Sequence, residues 1–329
     1  MWQRGDRGEE LTPEQWTRFI DSLDGLPMHY VEPFGGDVLL RPEVLFPLIE
    51  RAAGRGMMVD IPLNGVLLDA PTAERLAAMP IRTIYLSVDG VGTGHDDVRR
   101  VPGNFQHMMD AVAVIRRVRG SKLMPALICN TTISRLNYDQ CISIANASAD
   151  AGFDAVMFEY CGEFPPEAVA ASAIDGVAPE PYYARQGESL LLSADQAMRL
   201  KRDLEHLRRN GPNDRIEIVT RNIDFLTVAG LVSGQPGLRR CYVCRTQVTI
   251  DPFGNVLACP FFHKYHLGNI TNRSLHEIWN DEPHRRFVRL QGAGRLPMCH
   301  YCILTVVRNV TVVQSLQKWY LTHTRRGRW

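Results

Sequence analysis

Neither sign of charge dominates this chain: 37 lysines and arginines stand against 36 aspartates and glutamates, a formal net charge of +1. Such a balance offers no bulk attraction to nucleic acid or to an acidic membrane surface. The basic cluster Arg325-Arg326-Gly327-Arg328 is local and reads as a solvated tail. Apolar runs long enough to span a bilayer are missing. The opening residues, MWQRGDRGEE, lack the apolar core of a signal peptide. No internal repeat and no low-complexity segment is visible. These absences lead to the expectation of a cytoplasmic protein, in which thiols stay reduced and disulfides are not the default use of cysteine. Cysteine itself is absent from the first 128 residues.

What is present is ordinary for a globular chain of 329 residues, with 45% apolar and 22% charged side chains. That length permits one large domain, or a domain with an appendage. The order of elements is more informative. LTPEQWTRFIDSLD (11–24) predicts a helix, with Thr12 as cap, Pro13 in the first turn and an apolar stripe at Trp16, Phe19, Ile20 and Leu23. Strands are expected at about 28–34, 57–63, 83–89, 123–131 and 154–160, and helices at 41–56, 70–79, 104–120 and 138–152. Largely apolar strands alternating with helices over some 160 residues form the pattern of parallel βα units. Chemistry in such a series sits at the C-terminal ends of the strands. Here those ends are Gly35-Gly36-Asp37, Asn64-Gly65, Ser87-Val88-Asp89-Gly90, Asn130-Thr131 and Glu159-Tyr160. Residues 161–192 read as a long irregular segment placed to cover that site. A capped helix follows at 193–211, and then a short strand, RIEIVT.

The eight cysteines divide into two groups. Cys129, Cys141 and Cys161 stand alone in apolar or helical contexts and read as inert buried thiols. Cys241, Cys244, Cys259, Cys299 and Cys302 cluster, the first three at the feet of a hairpin in CYVCRTQVTIDPFGNVLAC (241–259). Clustered cytosolic cysteines bind metal more often than they pair. Two C-x-x-C pairs make a legitimate four-thiolate zinc site. The 54 residues between the pairs are many for a zinc ribbon, however, and Cys259 would be unexplained. Four thiolates also suit a [4Fe–4S] cube.

At this point the residues carry a family. GGDVLLRPE (35–43), LNGVLL (63–68) and LSVDG…HDDVR…PGNF (86–105) come in order. They are followed by IDPFGNVLACP (250–260), LGNI (267–270), SLHEIW (274–279), RRF (285–287) and LPMCHYC (296–302). Order and spacing together resemble radical S-adenosylmethionine (SAM) enzymes with a C-terminal SPASM/twitch domain, over nearly the whole chain. The resemblance implies an α/β fold, a partial (β/α)6 TIM-like barrel over 1–235 and a small α+β cysteine-rich domain with a helical tail over 236–329. It implies an oxidoreductase or maturase that abstracts hydrogen from a small-molecule or peptide substrate through a 5′-deoxyadenosyl radical. A flavodoxin or ferredoxin would supply electrons, and neither nucleic acid nor membrane would be a partner. Gly35, Gly36 and Asp37 match the strand-end motif, usually Gly-Gly-Glu-Pro, that holds the SAM amino group; Asp37 keeps the charge on a shorter side chain. Ser87 matches a SAM contact and Arg99 an arginine that pairs with the SAM carboxylate, while Asn64 caps its turn or lines the site. His95 and Asp96 fall in what the family pattern makes a structural loop. Cys259, Cys299 and Cys302 match ligands of one auxiliary [4Fe–4S] cluster. Cys241 is favoured as the fourth ligand, with Cys244 as its neighbour.

The family's defining C-x-x-x-C-x-x-C motif, which holds the primary [4Fe–4S] cluster that SAM chelates, does not occur here. Without it the radical step is not available to the sequence as written. Two explanations compete: a first strand and cluster loop belonging to a longer chain, or a degenerate, non-catalytic relative that binds an iron–sulfur cluster or zinc. The unpaired strand edge that such a loss would leave, and the retention of Ser87 and Arg99, favour the longer chain.

Overall fold

The computed structural model describes residues 8–181, 185, 187–236 and 241–304. The apolar segment after residue 304 and the basic cluster at 325–328 lie outside the described residues. The N-terminal half is a βα series. Helix α1 (Pro13–Asp21) begins with the expected cap: Thr12 accepts from the Gln15 amide, and the Gln15 side chain returns to the Thr12 amide at 2.8 Å. There follow β1 (Tyr30–Val31), α2 (Pro42–Gly54), β2 (Met58–Leu63), α3 (Ala70–Ala78), β3 (Thr83–Ser87), α4 (Thr93–Arg99) and α5 (Asn104–Arg119). Then come β4 (Ala126–Ile133), α6 (Cys141–Ala151), β5 (Ala155–Tyr160), α7 (Pro166–Ala170), α8 (Ala194–Asn210) and β6 (Glu217–Val219). All six strands are parallel and lie side by side in chain order. This is the partial-barrel α/β architecture expected from the sequence.

Three details differ from the sequence reading. Only two residues of the 28–34 segment pair as a strand, and Pro33, which has no amide hydrogen to give a ladder, comes two residues after it. RIEIVT is not a stray strand: Ala155–Met157 of β5 pair with Glu217–Val219, which extends the sheet. The Gly-rich loop after β3 contains α4, which begins just after its N-cap, Gly92 (φ +56°).

The two faces of the sheet are chemically unlike. Alternate positions point to opposite faces. Val59, Ile61 and Leu63 on β2, Ile84 and Leu86 on β3, Leu127 and Cys129 on β4, and Val156 and Phe158 on β5 are all buried in one core with helix residues such as Ile49, Leu76 and Ile115. The intervening positions, Tyr85 and Ser87, Asn130 and Thr132, and Met157 and Glu159, are only half-buried and mostly polar. A sheet packed for stability alone has no need of that polar second face; it is the face on which a ligand can be held.

Beyond β6 come α9 (Arg221–Asp224), α10 (Val228–Ser233) and the cysteine-rich part: α11 (Val243–Thr246), β7 (Thr249–Ile250), β8 (Asn255–Leu257), β9 (His266–Asn269), α12 (Leu275–Ile278) and α13 (Glu282–Gly292). Strands β7–β9 form a separate antiparallel sheet, so the expected hairpin is present. Its turn is held by Asp251 Oδ1, which accepts from the amides of Phe253 (2.9 Å) and Asn255 (2.8 Å), and by Gly254 at φ +86°. Among the described residues no helix is long and apolar enough to cross a membrane.

Candidate functional site

The parallel topology puts Gly35-Gly36-Asp37, Asn64, Ser87 and Asn130 at the same edge, the C-terminal ends of β1 to β4. Several of these residues also have local structural work. Asp37 Oδ1 accepts from the Leu39 amide at 2.9 Å and caps a short 3-10 turn, and Asn64 Oδ1 accepts from the Val66 amide at 2.9 Å. Gly65 follows at φ +82°, where a Cβ would meet Met108 Cγ at 2.2 Å, so only glycine fits.

Ser87 ends β3 directly beside Asn130 of β4 in the parallel register. Asn130 Oδ1 is buried and has no hydrogen-bond partner among the described residues. Asp89 is buried just past Ser87: its carboxylate accepts from the Thr132 amide at 2.8 Å, and its carbonyl accepts from Asn137 Nδ2 at 2.9 Å. Burial pushes the Asp89 carboxyl up, and Arg99 offsets part of that. Arg99 Nε stands 2.7 Å from Asp89 Oδ2 as an ion pair, without the alignment of a good hydrogen bond. Arg99 is thus tied to Asp89, two residues past Ser87. His95 and Asp96 are structural, as expected from the sequence. His95 is fully buried and its Nδ1 accepts from the Asp89 amide at 3.1 Å; Asp96 accepts from the amides of Gly103 (2.7 Å) and Phe105 (2.9 Å) at the start of α5. Tyr85 lies two residues before Ser87 on the same face. Burial, with the Asp60 carboxylate adding to it, raises its phenol to about 12.

The five clustered cysteines converge. Cys241, Cys244, Cys259, Cys299 and Cys302 all line one cavity of about 20 Å³, with Val243, Phe261, Phe287 and Met298 among its other walls and no charged side chain. Cys129, Cys141 and Cys161 are buried elsewhere as free thiols, each pushed up by burial, Cys129 to about 11 and Cys161 to about 12. Within the cavity burial pushes Cys259 and Cys299 upward as well, and neighbouring thiols add to it. Cys241 is the exception: the adjacent Cys244 thiol, whose S–H reaches the Cys241 carbonyl at 3.7 Å, lowers it, while the same neighbour and burial raise Cys244. Cys241 is therefore the more readily ionised of the pair.

This donor set fits an iron–sulfur cluster. Among the described residues no three His, Cys, Asp or Glu side chains meet as closely as a single ion requires. Thiolates on one zinc stand about 2.3 Å from a common point, whereas those of a cube each reach a different iron and stand apart around it. The central gap is about one water in size, so a cluster would need the thiols to stand further apart than they do here. They sit on pieces able to yield: Cys241 and Cys302 are in irregular backbone, Cys259 is in a bend, and Cys299 is in a single 3-10 turn, Pro297–Tyr301.

Two residues that the sequence reading passed over complete this centre. His284 is buried; its Nδ1 accepts from the Asn280 amide at 3.1 Å, which leaves the proton on Nε2 to be donated to the Cys244 carbonyl at 2.7 Å. Its ring stacks on Trp279 with centroids 4.0 Å apart. Gln291 lines the cavity from the same helix. The available signal was the spacing of His284, Phe287 and Gln291, one helical stripe that proves buried.

Residues 241–303 match the SPASM family, described as an iron–sulfur cluster-binding domain. The chain is similar to mycofactocin maturase MftC of Mycolicibacterium smegmatis, 26% identical over 294 residues, which is 88% of this chain and 68% of that protein. It is also similar to the AdoMet-dependent heme synthase of Methanosarcina barkeri, 26% identical over 303 residues, or 89% and 80% of the two chains. Among solved structures, Streptococcus suis SuiB bound to its precursor peptide SuiA matches with a TM-score of 0.64 at 14% identity, covering 94% of this chain and 69% of that one. The structure titled anSMEcpe with bound AdoMet and Cp18Cys peptide matches at 0.62 and 16% identity, covering 97% and 90%. The match over 241–303 gives the chain a SPASM domain, its relatives make it similar to radical SAM enzymes that carry one, and the solved structures share its fold.

Proposed function

We propose that the protein is a radical SAM/SPASM-type oxidoreductase or maturase that would remove hydrogen from a peptide or small-molecule substrate once a C-x-x-x-C-x-x-C cluster loop is supplied, with electrons from a flavodoxin- or ferredoxin-like donor; the sequence as written, without that loop, is inactive in the radical step. The observation that carries the reading is the convergence of all five clustered cysteines on one cavity. Cys241, Cys259, Cys299 and Cys302 would hold one auxiliary [4Fe–4S] cluster, with Cys244 donating its S–H to Cys241. A cluster held there would supply one-electron transfer; SAM bound at the sheet would supply the hydrogen-abstracting group only with a primary cluster, whose C-x-x-x-C-x-x-C ligands this sequence does not contain. In the barrel unit, 1–235, the backbone at Gly35 and Gly36 with Asp37 would receive the SAM amino group. Ser87 and Arg99 would receive its carboxylate, the guanidinium being oriented for this by Asp89. The SPASM unit takes 236–329. A maturase and a heme synthase among the relatives support a substrate that is a peptide or a small molecule.

Anaerobic reconstitution tests the reading. About four irons and four sulfides per chain are expected. Cys299→Ala should lose that iron and Cys141→Ala should keep it. Zinc as the only metal bound, or equal iron in the two variants, refutes the assignment.

A further inference from the structure

Gln291 lies in the last turn of α13 and is 2% exposed. Neither end of its amide, Oε1 or Nε2, has a hydrogen-bond partner among the described residues. A buried polar group left in that state costs about 1–3 kcal/mol, and native structures satisfy such groups with a partner that protein contacts alone do not reveal. The side chain lines the cavity ringed by Cys241, Cys244, Cys259, Cys299 and Cys302. Apart from those thiols the named walls are aliphatic, aromatic or thioether groups, so sulfur is the acceptor on offer. Contrast His284, two turns earlier, whose ring nitrogens both have backbone partners.

We propose that Gln291 donates its Nε2–H to a sulfur of the auxiliary cluster and thereby holds the cluster's midpoint potential up. The inference rests on the cluster reading given above. Reduction adds one negative charge to the cluster, a donor aimed at its sulfurs stabilises that form more than the oxidised one, and hydrogen bonds to sulfur are among the known determinants of cluster potential. Gln291 would be a positioning and tuning residue; it is not a ligand.

The experiment compares the reconstituted wild type with Gln291→Met, which keeps the length and loses the donor, and with Gln291→Leu. Iron content is measured first and is expected to be equal in all three. An EPR-monitored redox titration then reads the cluster. At one ambient potential the oxidised-to-reduced ratio should be about tenfold higher in the variants, equivalent to a midpoint about 59 mV lower for a one-electron couple. Independently of any variant, wild-type protein labelled with 15N in glutamine side chains should show a 15N coupling to the reduced cluster. Wild type that takes up no iron refutes the cluster reading itself. Wild type that takes up iron but shows no 15N coupling, or variants with the wild-type midpoint, overturn the role of Gln291 and leave the cluster standing.

Discussion

Replacing His284 with phenylalanine separates a structural hydrogen-bond tie from simple packing. The phenyl ring keeps the volume and the stacking on Trp279, whose centroid is 4.0 Å away, so the transfer and cavity contributions stay small. What disappears are two hydrogen bonds to backbone: Asn280 N–H to Nδ1 and Nε2–H to Cys244 O. Asn280 sits at φ +72°, so the lost bond also releases a backbone held in an unfavourable region. Each orphaned group costs about 1–3 kcal/mol. With some water reaching Asn280, the sum is about 3 kcal/mol. With an unfolding entropy of about 2.1 cal/mol/K per residue over 329 residues, that corresponds to a fall in melting temperature of about 4 °C, measured anaerobically by scanning calorimetry. The Cys244 carbonyl is one end of this tie, so the Cys241–Cys244 turn should loosen and iron retention after desalting should fall. A variant that melts within about 2 °C of wild type and keeps its full iron would refute the argument that His284 fastens the ligand turn to α13.

Two further outcomes follow from the barrel. Arg99→Ala should weaken SAM binding in a calorimetric titration by on the order of 10–100-fold, the effect of losing one charge-assisted pair, and unchanged affinity would remove Arg99 from the site. His95 is held as the neutral imidazole: burial first, and Arg99 second, lower it to about 4 from 6.5. Below pH 6.5 the unfolded chain takes up the proton and the folded one does not, so this stabilisation is complete above pH 6.5 and is lost as pH falls toward 4. The shift is worth about 3 kcal/mol. Urea midpoints between pH 4.5 and 7 should fall more steeply with acid for wild type than for His95→Asn; parallel slopes would contradict it.

How much of this was legible in the sequence depends on how local each signal is. Strands β2 to β5 announce themselves because their residues are apolar at consecutive positions, and both faces of such a strand meet something. β6 contributes three residues to the sheet after a separation of more than fifty from β5, so its membership is a tertiary fact. α4 was hidden by its glycines. Its formation follows from His95, whose burial beside Asp89 and Asn104 draws the chain inward. At the cysteine centre the thiols are legible because few other roles gather five of them. Gln291 and His284 were not, because both residue types are common on helix surfaces, and only the burial of the 284/287/291 stripe gives them meaning.

The segment expected to cover the site shows how the two halves depend on each other. Residues 161–181 are tied to the cysteine-rich part instead of lying free. Ser172 Oγ accepts from the Met298 amide at 2.9 Å while donating to the Ala168 carbonyl at 2.8 Å, and Ser172 is fully buried. The Glu180 amide donates to the Phe261 carbonyl at 2.7 Å, and Phe164 meets the Phe261 ring edge-on with centroids 5.2 Å apart. Met298 adjoins Cys299, and Phe261 lies two residues past Cys259. The backbone next to two of the candidate ligands is therefore contacted by a connection that leaves the C-terminal end of β5. A cysteine module that folded on its own would need no such ties. The contacts of Ser172 with Met298 and of Phe164 with Phe261 therefore join the segment after β5 to the backbone beside Cys299 and Cys259.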